Sequence, residues 1–203
     1  MKKIVIGITG ASGTIYALSL LKALATMPDV ETHLVMSKWA KENLALEATG
    51  YTLADVRNLA DATYDERDMG AKIASGSFRH DGMVVVPASM KSIASIATGM
   101  GDTLVGRAAD VTLKERRPLI VVPRESPFNQ IHLENMLKLA RMGVEIIPPI
   151  PAFYNRPKTI ADIVNHTTEK LLDHLGIDNE LSPRWEGMTA AKEQTRHDES
   201  SYV

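Results

Sequence analysis

Short apolar runs rich in Val, Ile or Met alternate along this chain with longer stretches of helical periodicity, and that alternation leaves few folds open. The runs Lys3 to Thr9, Thr32 to Met36, Met83 to Val86, Leu119 to Val122 and Val144 to Ile147 each end in Gly, Ser or Pro. They read as strands buried on both faces, the pattern of a parallel sheet covered by helices. Helical patterns occupy Gly13 to Thr26, Lys38 to Ala48, Met90 to Thr98, Leu104 to Arg117, Ile131 to Arg141 and Ile160 to Leu175. The expected class is α/β with a mostly parallel sheet. Right-handed crossovers then put every strand-to-helix loop at one sheet edge, where such folds bind ligands. Residues 54–77 are small and polar and read as irregular helix and loop over one edge.

Composition narrows the function. With 203 residues the chain suffices for one domain; residues 1–187 are expected to form it, and 188–203 a polar tail whose last ten residues read as disordered. A formal net charge of -2 gives no electrostatic reason to expect nucleic acid or a membrane surface as partner. The absence of cysteine rules out disulfides and thiolate chemistry from this chain and suits a cytoplasmic location. The run Ile4 to Ile8 is too short for a signal-peptide core, and no stretch approaches the roughly 18 apolar residues of a membrane span. The six histidines show no i, i+4 pairing or carboxylate cluster, so no metal site is expected.

Two loops stand out. Thr9-Gly10-Ala11-Ser12-Gly13 lies where the first strand hands over to a helix, and small residues there let backbone N–H groups approach an anion. A plain tight turn explains it equally well. A dinucleotide site wants an acidic residue at the end of the second strand, and that strand ends at Ser37 instead. The one Tyr-x-x-x-Lys match, Tyr154 to Lys158, contains Pro157 and is no helix. A mononucleotide fits better. The second loop, Pro87-Ala88-Ser89-Met90-Lys91-Ser92, also opens a helix, and both loops are expected to line one cleft. On pattern alone Glu47 belongs to a solvated helix face and Lys114-Glu115-Arg116-Arg117 to a solvated helix end. Glu125 sits in a rigid loop between Pro123 and Pro127, which favours a role.

The segments Gly106-Arg107-Ala108-Ala109-Asp110-Val111, Leu113 to Leu119 and Val122-Pro123-Arg124-Glu125-Ser126-Pro127 resemble the UbiX family of flavin prenyltransferases. Ile131 to Met136 and Pro151-Ala152-Phe153-Tyr154 extend the resemblance, which runs from residue 4 to about 187. Within the family it is similar to the B-type members named for phenolic or aromatic acid decarboxylase systems. The resemblance implies a Rossmann-like three-layer sandwich that joins a dimethylallyl group from dimethylallyl monophosphate to N5 and C6 of reduced FMN, without a metal. The product, prenylated FMN, serves a UbiD-type decarboxylase, and the family forms homo-oligomers, often dodecamers.

Carried over by motif, Gly10, Ala11, Ser12, Ser37, Ser89, Met90, Lys91, Ser92 and Arg124 hold FMN. Arg107, Lys114, Tyr154 and Lys170 bind the prenyl phosphate, the first two in the family from a neighbouring subunit, and Trp185 closes over the prenyl group. Ser12, Glu47 and Glu125 are the implied catalytic residues. Such cations suit a departing phosphate, and an aromatic face suits an allylic cation. Lys170 stands where arginine is common, and Ala88 where cysteine is frequent. Two alternatives stay open on the sequence, a flavin-dependent decarboxylase of cysteine-type substrates and a non-catalytic FMN carrier subunit.

Overall fold

Helices follow strands in regular succession in the computed structural model, which describes residues 1–47, 50–185, 187 and 188. The first half runs β1 (Lys2–Ile8), α1 (Thr14–Ala25), β2 (Val30–Met36), α2 (Lys38–Leu46), α3 (Leu53–Asn58) and β3 (Ala62–Asp65). After a 3₁₀ turn (Lys72–Ala74) come β4 (Gly82–Ala88), α4 (Met90–Thr98), α5 (Leu104–Lys114), β5 (Leu119–Pro123), α6 (Gln130–Arg141), β6 (Glu145–Ile146) and α7 (Ile160–His174). The strands pair in the order β3-β2-β1-β4-β5-β6, parallel at every junction. Strand order therefore reverses between β1 and β4, the place where doubly wound sheets open a crevice.

Alternation along each strand divides the core in two. Ile4, Ile6, Ile8, Leu34, Met36, Val84 and Val86 pack with α1 and α7 on one face. Val5, Val35, Met83, Val85 and Val121 pack with α4, α5 and α6 on the other. Each buried Ile or Leu contributes about 1.5–3 kcal/mol by leaving water. Burial on both faces explains why these strands read as continuous apolar runs. The α/β expectation holds, as a three-layer sandwich.

The region 54–77, expected as irregular helix and loop, also holds a strand. Thr52 caps α3 in a reciprocal capping box with Asp55, and Ala62–Asp65 form an edge strand paired with β2. That strand alternates half-buried and exposed residues, so it carries no apolar run to betray it. Helix ends differ as well. α5 stops at Lys114, with Arg116 in the left-handed region at φ 55°, instead of reaching Arg117. α2 stops at Leu46, while Ala48, the expected end, lies outside the described residues. So does the tail from residue 189 onward. No helix among the described residues is long and apolar enough to cross a membrane.

Two imidazoles lie in the second core face. The ring of His80 is placed by Gly82 O at 3.2 Å and Thr112 Oγ1 at 3.4 Å, and that of His33 by the Tyr64 hydroxyl at 2.9 Å and Glu31 at 3.0 Å. Burial holds both below the ordinary histidine value of 6.5; Arg117 adds to the effect at His80, and Glu31 opposes it at His33. The unfolded chain then takes up these protons first as pH falls, so stability is level above 6.5 and declines below it. Thermal unfolding scanned from about pH 7.5 to about pH 5 is expected to show a falling midpoint below the ordinary histidine value, with a shallower slope in His80→Gln.

Candidate active site

The loops after β1, β2, β4 and β5 are joined by their own hydrogen bonds. Thr9 donates to Pro87 O through its backbone (3.2 Å) and its hydroxyl (2.8 Å), and that hydroxyl accepts from Ser89 N at 2.8 Å. Ser37 N donates to Ile8 O at 2.9 Å, and Arg124 N to Ala88 O at 3.2 Å. Arg124 Nε reaches across to Ser12 O at 3.1 Å. Ser37 caps α2 by accepting from Ala40 N, and Ser89 caps α4 by accepting from Ser92 N.

The loops after β1, β2 and β4, with Glu66 and the start of α5, line a cleft of about 230 Å³ at the β1/β4 switch point. Its walls contain Gly10, Ser37, Ser89, Lys91 and Ser92 from the expected set, with Lys38 as a second cation. They also contain Trp39, Glu66, Asp102 and Thr103, which sequence reasoning missed, and Thr9 and Gly106, which it took only as parts of motifs. Gly106 carried a signal: a Cβ there would lie 3.2 Å from Met100 O and 3.3 Å from Ser95 Oγ. Gly10 is small for a reason other than the anion expected beside it, since a Cβ at that position would lie 2.4 Å from Trp39 Cβ.

The anion at the start of α1 belongs to the protein. Glu47, at the C-terminal cap of α2, accepts from Gly13 N (2.8 Å), Thr14 N (2.8 Å) and the Thr14 hydroxyl (2.5 Å). Burial pushes its pKa up, but bonds from Thr14, Gly13 and the Ser12 hydroxyl outweigh burial and hold it below the usual 4.5. The expectation of a solvated Glu47 is therefore overturned, because the helix cap turns the side chain back onto the first loop. Ser12, Glu47 and Arg124 form one cluster. Glu125 is exposed and accepts from its neighbour Ser126 N at 3.0 Å. Ala11 is buried beneath the loop, and Met90 begins α4 partly buried.

A second group gathers on α7. After Ile177 the chain returns along that helix as a strap. Asn179 donates to Asp173 at 3.1 Å, Arg184 grips the same carboxylate through two bonds of 3.0 and 2.8 Å, and Ser182 donates to the buried Glu169. The strap lays Trp185 edge-on to Tyr154 at 5.5 Å, and Tyr154 meets His166 at 5.8 Å. Lys170 is exposed on the same helix.

Arg107 and Lys114 stand apart from both groups. Arg107 donates to Ala74 O (3.1 Å) and Asp110 (2.7 Å), and Lys114 pairs with Glu115 beside Gly76. Lys114 lies about two turns, roughly 10 Å, beyond Arg107 along α5, toward the edge where strands begin. One chain thus does not bring Lys114 to its own cleft. Among the described residues no group of three or more His, Asp or Glu is arranged to hold a metal.

Comparison with known proteins places this architecture. A family model described as Flavoprotein matches residues 1–172. The flavin prenyltransferase LpdB of Lactiplantibacillus plantarum is 65% identical over 187 residues, 92% of this chain and 100% of that protein. The crystal structure of a dodecameric FMN-dependent UbiX-like decarboxylase from Escherichia coli O157:H7 superposes with a TM-score of 0.89 at 55% identity, covering 91% of this chain and 100% of the other. The crystal structure of AnUbiX (PadA1) in complex with FMN and dimethylallyl pyrophosphate gives a TM-score of 0.90 at 46% identity, covering 92% and 98%.

Removing the Glu47 carboxylate leaves three donors at the start of α1 without their acceptor. Glu47→Ala is expected to lower unfolding stability by about 1–2 kcal/mol at neutral pH. Because the folded pKa is depressed, the wild-type advantage is present above 4.5 and fades as pH falls below it. Urea unfolding of both proteins at about pH 7 and about pH 3 checks the magnitude and the sign.

Proposed function

The chain belongs to the flavoprotein family and, within it, to the UbiX-like flavin prenyltransferases, and from that premise we propose that it prenylates reduced FMN. The donor is dimethylallyl monophosphate, and the bonds formed are to flavin N5 and then C6. The observation that carries the reading is the switch-point cleft, lined by Ser37, Ser89, Lys91 and Ser92, beside the Ser12–Glu47–Arg124 cluster. The hydroxyls of Ser37, Ser89 and Ser92 and the α4 N-terminus suit a mononucleotide phosphate. Gly10, Ala11, Ser12 and Met90 shape the flavin wall, and Arg124 locks the first loop to the third.

Tyr154 and Lys170 receive the prenyl phosphate at the α7 end, and Trp185 closes over the prenyl group. Arg107 and Lys114, which do not line the cleft of their own chain, act on the site of a second copy in a homo-oligomer, as a dodecamer would allow. Flavin N5 takes the dimethylallyl carbon and loses its proton as the C–O bond of the donor breaks and the electron pair leaves with the phosphate. The alkene that remains is then protonated, and C6 closes the ring on the tertiary cation so formed, releasing its own proton. Cations spread around that phosphate stabilise the charge developing on it. The Trp185 face stabilises the allylic cation by about 1–2 kcal/mol when water is excluded. Ser12 and Glu47 orient the flavin side of the reaction, and Glu125 receives the proton released at C6. Residues 1–187 are the working unit, with 188–203 appended. The chain acts in the cytoplasm and delivers prenylated FMN to a UbiD-type decarboxylase. Decarboxylation of a cysteine-type substrate finds less support, because the loops read Pro87-Ala88-Ser89-Met90 and Arg124-Glu125-Ser126-Pro127.

Anaerobic incubation with reduced FMN and dimethylallyl monophosphate, followed by mass analysis of the flavin, tests the proposal. A gain of one dimethylallyl group is expected, with turnover reduced at least about 100-fold in Glu125→Gln. Unmodified flavin with both the monophosphate and the diphosphate would overturn it.

A further inference from the structure

A carboxylate enters the cleft from the end of the edge strand β3. Glu66 follows Asp65, the last residue of that strand, and its backbone carbonyl accepts from Leu104 N at 2.8 Å. That bond fastens Glu66 to the first residue of α5, whose Val105 and Gly106 form part of the same wall. The Glu66 side chain lines the cleft with Trp39 and Thr103, and its Oε2 is buried with no hydrogen-bond partner. Lys38 and Lys91 also line the cleft, yet among the described residues neither forms an ion pair with Glu66.

A buried carboxylate oxygen is stable only when something donates to it. With no donor supplied by the wall, the donor is the ligand. A negative group repels phosphate, so the partner is an uncharged O–H or N–H. Doubly wound sheets that bind nucleotides place an acidic residue at the end of the second strand to hold sugar hydroxyls. Here β2 ends at Met36, just before Ser37, and the carboxylate arrives one strand further out, at the end of β3. We propose that Glu66 is a specificity-determining residue of the flavin site, accepting hydrogen bonds from the ribityl hydroxyls of FMN. Its charge also fixes which way the flavin lies, keeping the phosphate at Ser89, Lys91 and Ser92. This rests on the flavin reading above and adds a residue to it.

Equilibrium binding of FMN, riboflavin and lumiflavin to the full chain, read by flavin fluorescence, tests the inference. Glu66→Leu is expected to weaken FMN and riboflavin about tenfold and to leave lumiflavin, which lacks the ribityl chain, unchanged. Glu66→Gln keeps an acceptor oxygen and is expected to stay within about threefold of wild type. Glu66→Ala is measured beside them, so that misfolding of the leucine variant does not stand in for lost recognition. FMN affinity unchanged in both the Leu and Ala variants, or lumiflavin weakened as much as FMN, would overturn the assignment. Failure of the wild-type protein to bind FMN would instead overturn the flavin reading itself, and this inference with it.

Discussion

The hydrogen bonds among Thr9, Pro87 and Ser89 are what the rest of the site depends on. A parallel sheet holds β1 and β4 side by side but does nothing for the loops beyond their ends. At the switch point the helices after these two strands depart to opposite faces, and the loops would otherwise splay. One threonine hydroxyl prevents this by donating to one loop position and accepting from another. The Arg124–Ser12 bond extends the same stitching to the third loop. Three chain segments remote in sequence thereby act as one rigid rim, which is what a cleft needs to bind without reordering.

Glu47 shows how such a rim manages a helix terminus. The N–H groups that open α1 attract an anion, and the fold satisfies them with its own carboxylate. The starts of α2, α4 and α5 remain along the cleft, and under the proposed function the mononucleotide phosphate goes to the α4 start, where Lys91 adds positive charge. Fixing the carboxylate at α1 also sets the Ser12 hydroxyl, which donates to it.

Much of this is legible in the sequence, for identifiable reasons. Strands buried on both faces announce themselves as apolar runs, and β1, β2, β4 and β5 fall within a few residues of their expected bounds. β3 does not announce itself, because an edge strand with one wet face has no such run. Missing β3 also hides Glu66, whose meaning comes from ending a strand. The serines of the cleft emerge by pattern, since capping residues at strand-to-helix turns recur at binding edges. Glu47 emerges only through family resemblance; on helical periodicity it faces water, and no pattern reveals that a C-cap reverses direction. The resemblance likewise names Arg107 and Lys114, but only the geometry makes plain that neither lines the cleft of its own chain.

The proposed function, which combines the cleft of one chain with cations of another, can be tested directly. Glu125→Gln and Lys114→Ala are each expected to lower turnover at least about 100-fold alone. Co-expressed and assembled together, they are expected to recover up to about one quarter of wild-type prenylation, because random pairing yields some sites with both intact residues. Activity remaining at the level of the separate variants, in assemblies shown to contain both chains, would contradict a shared site.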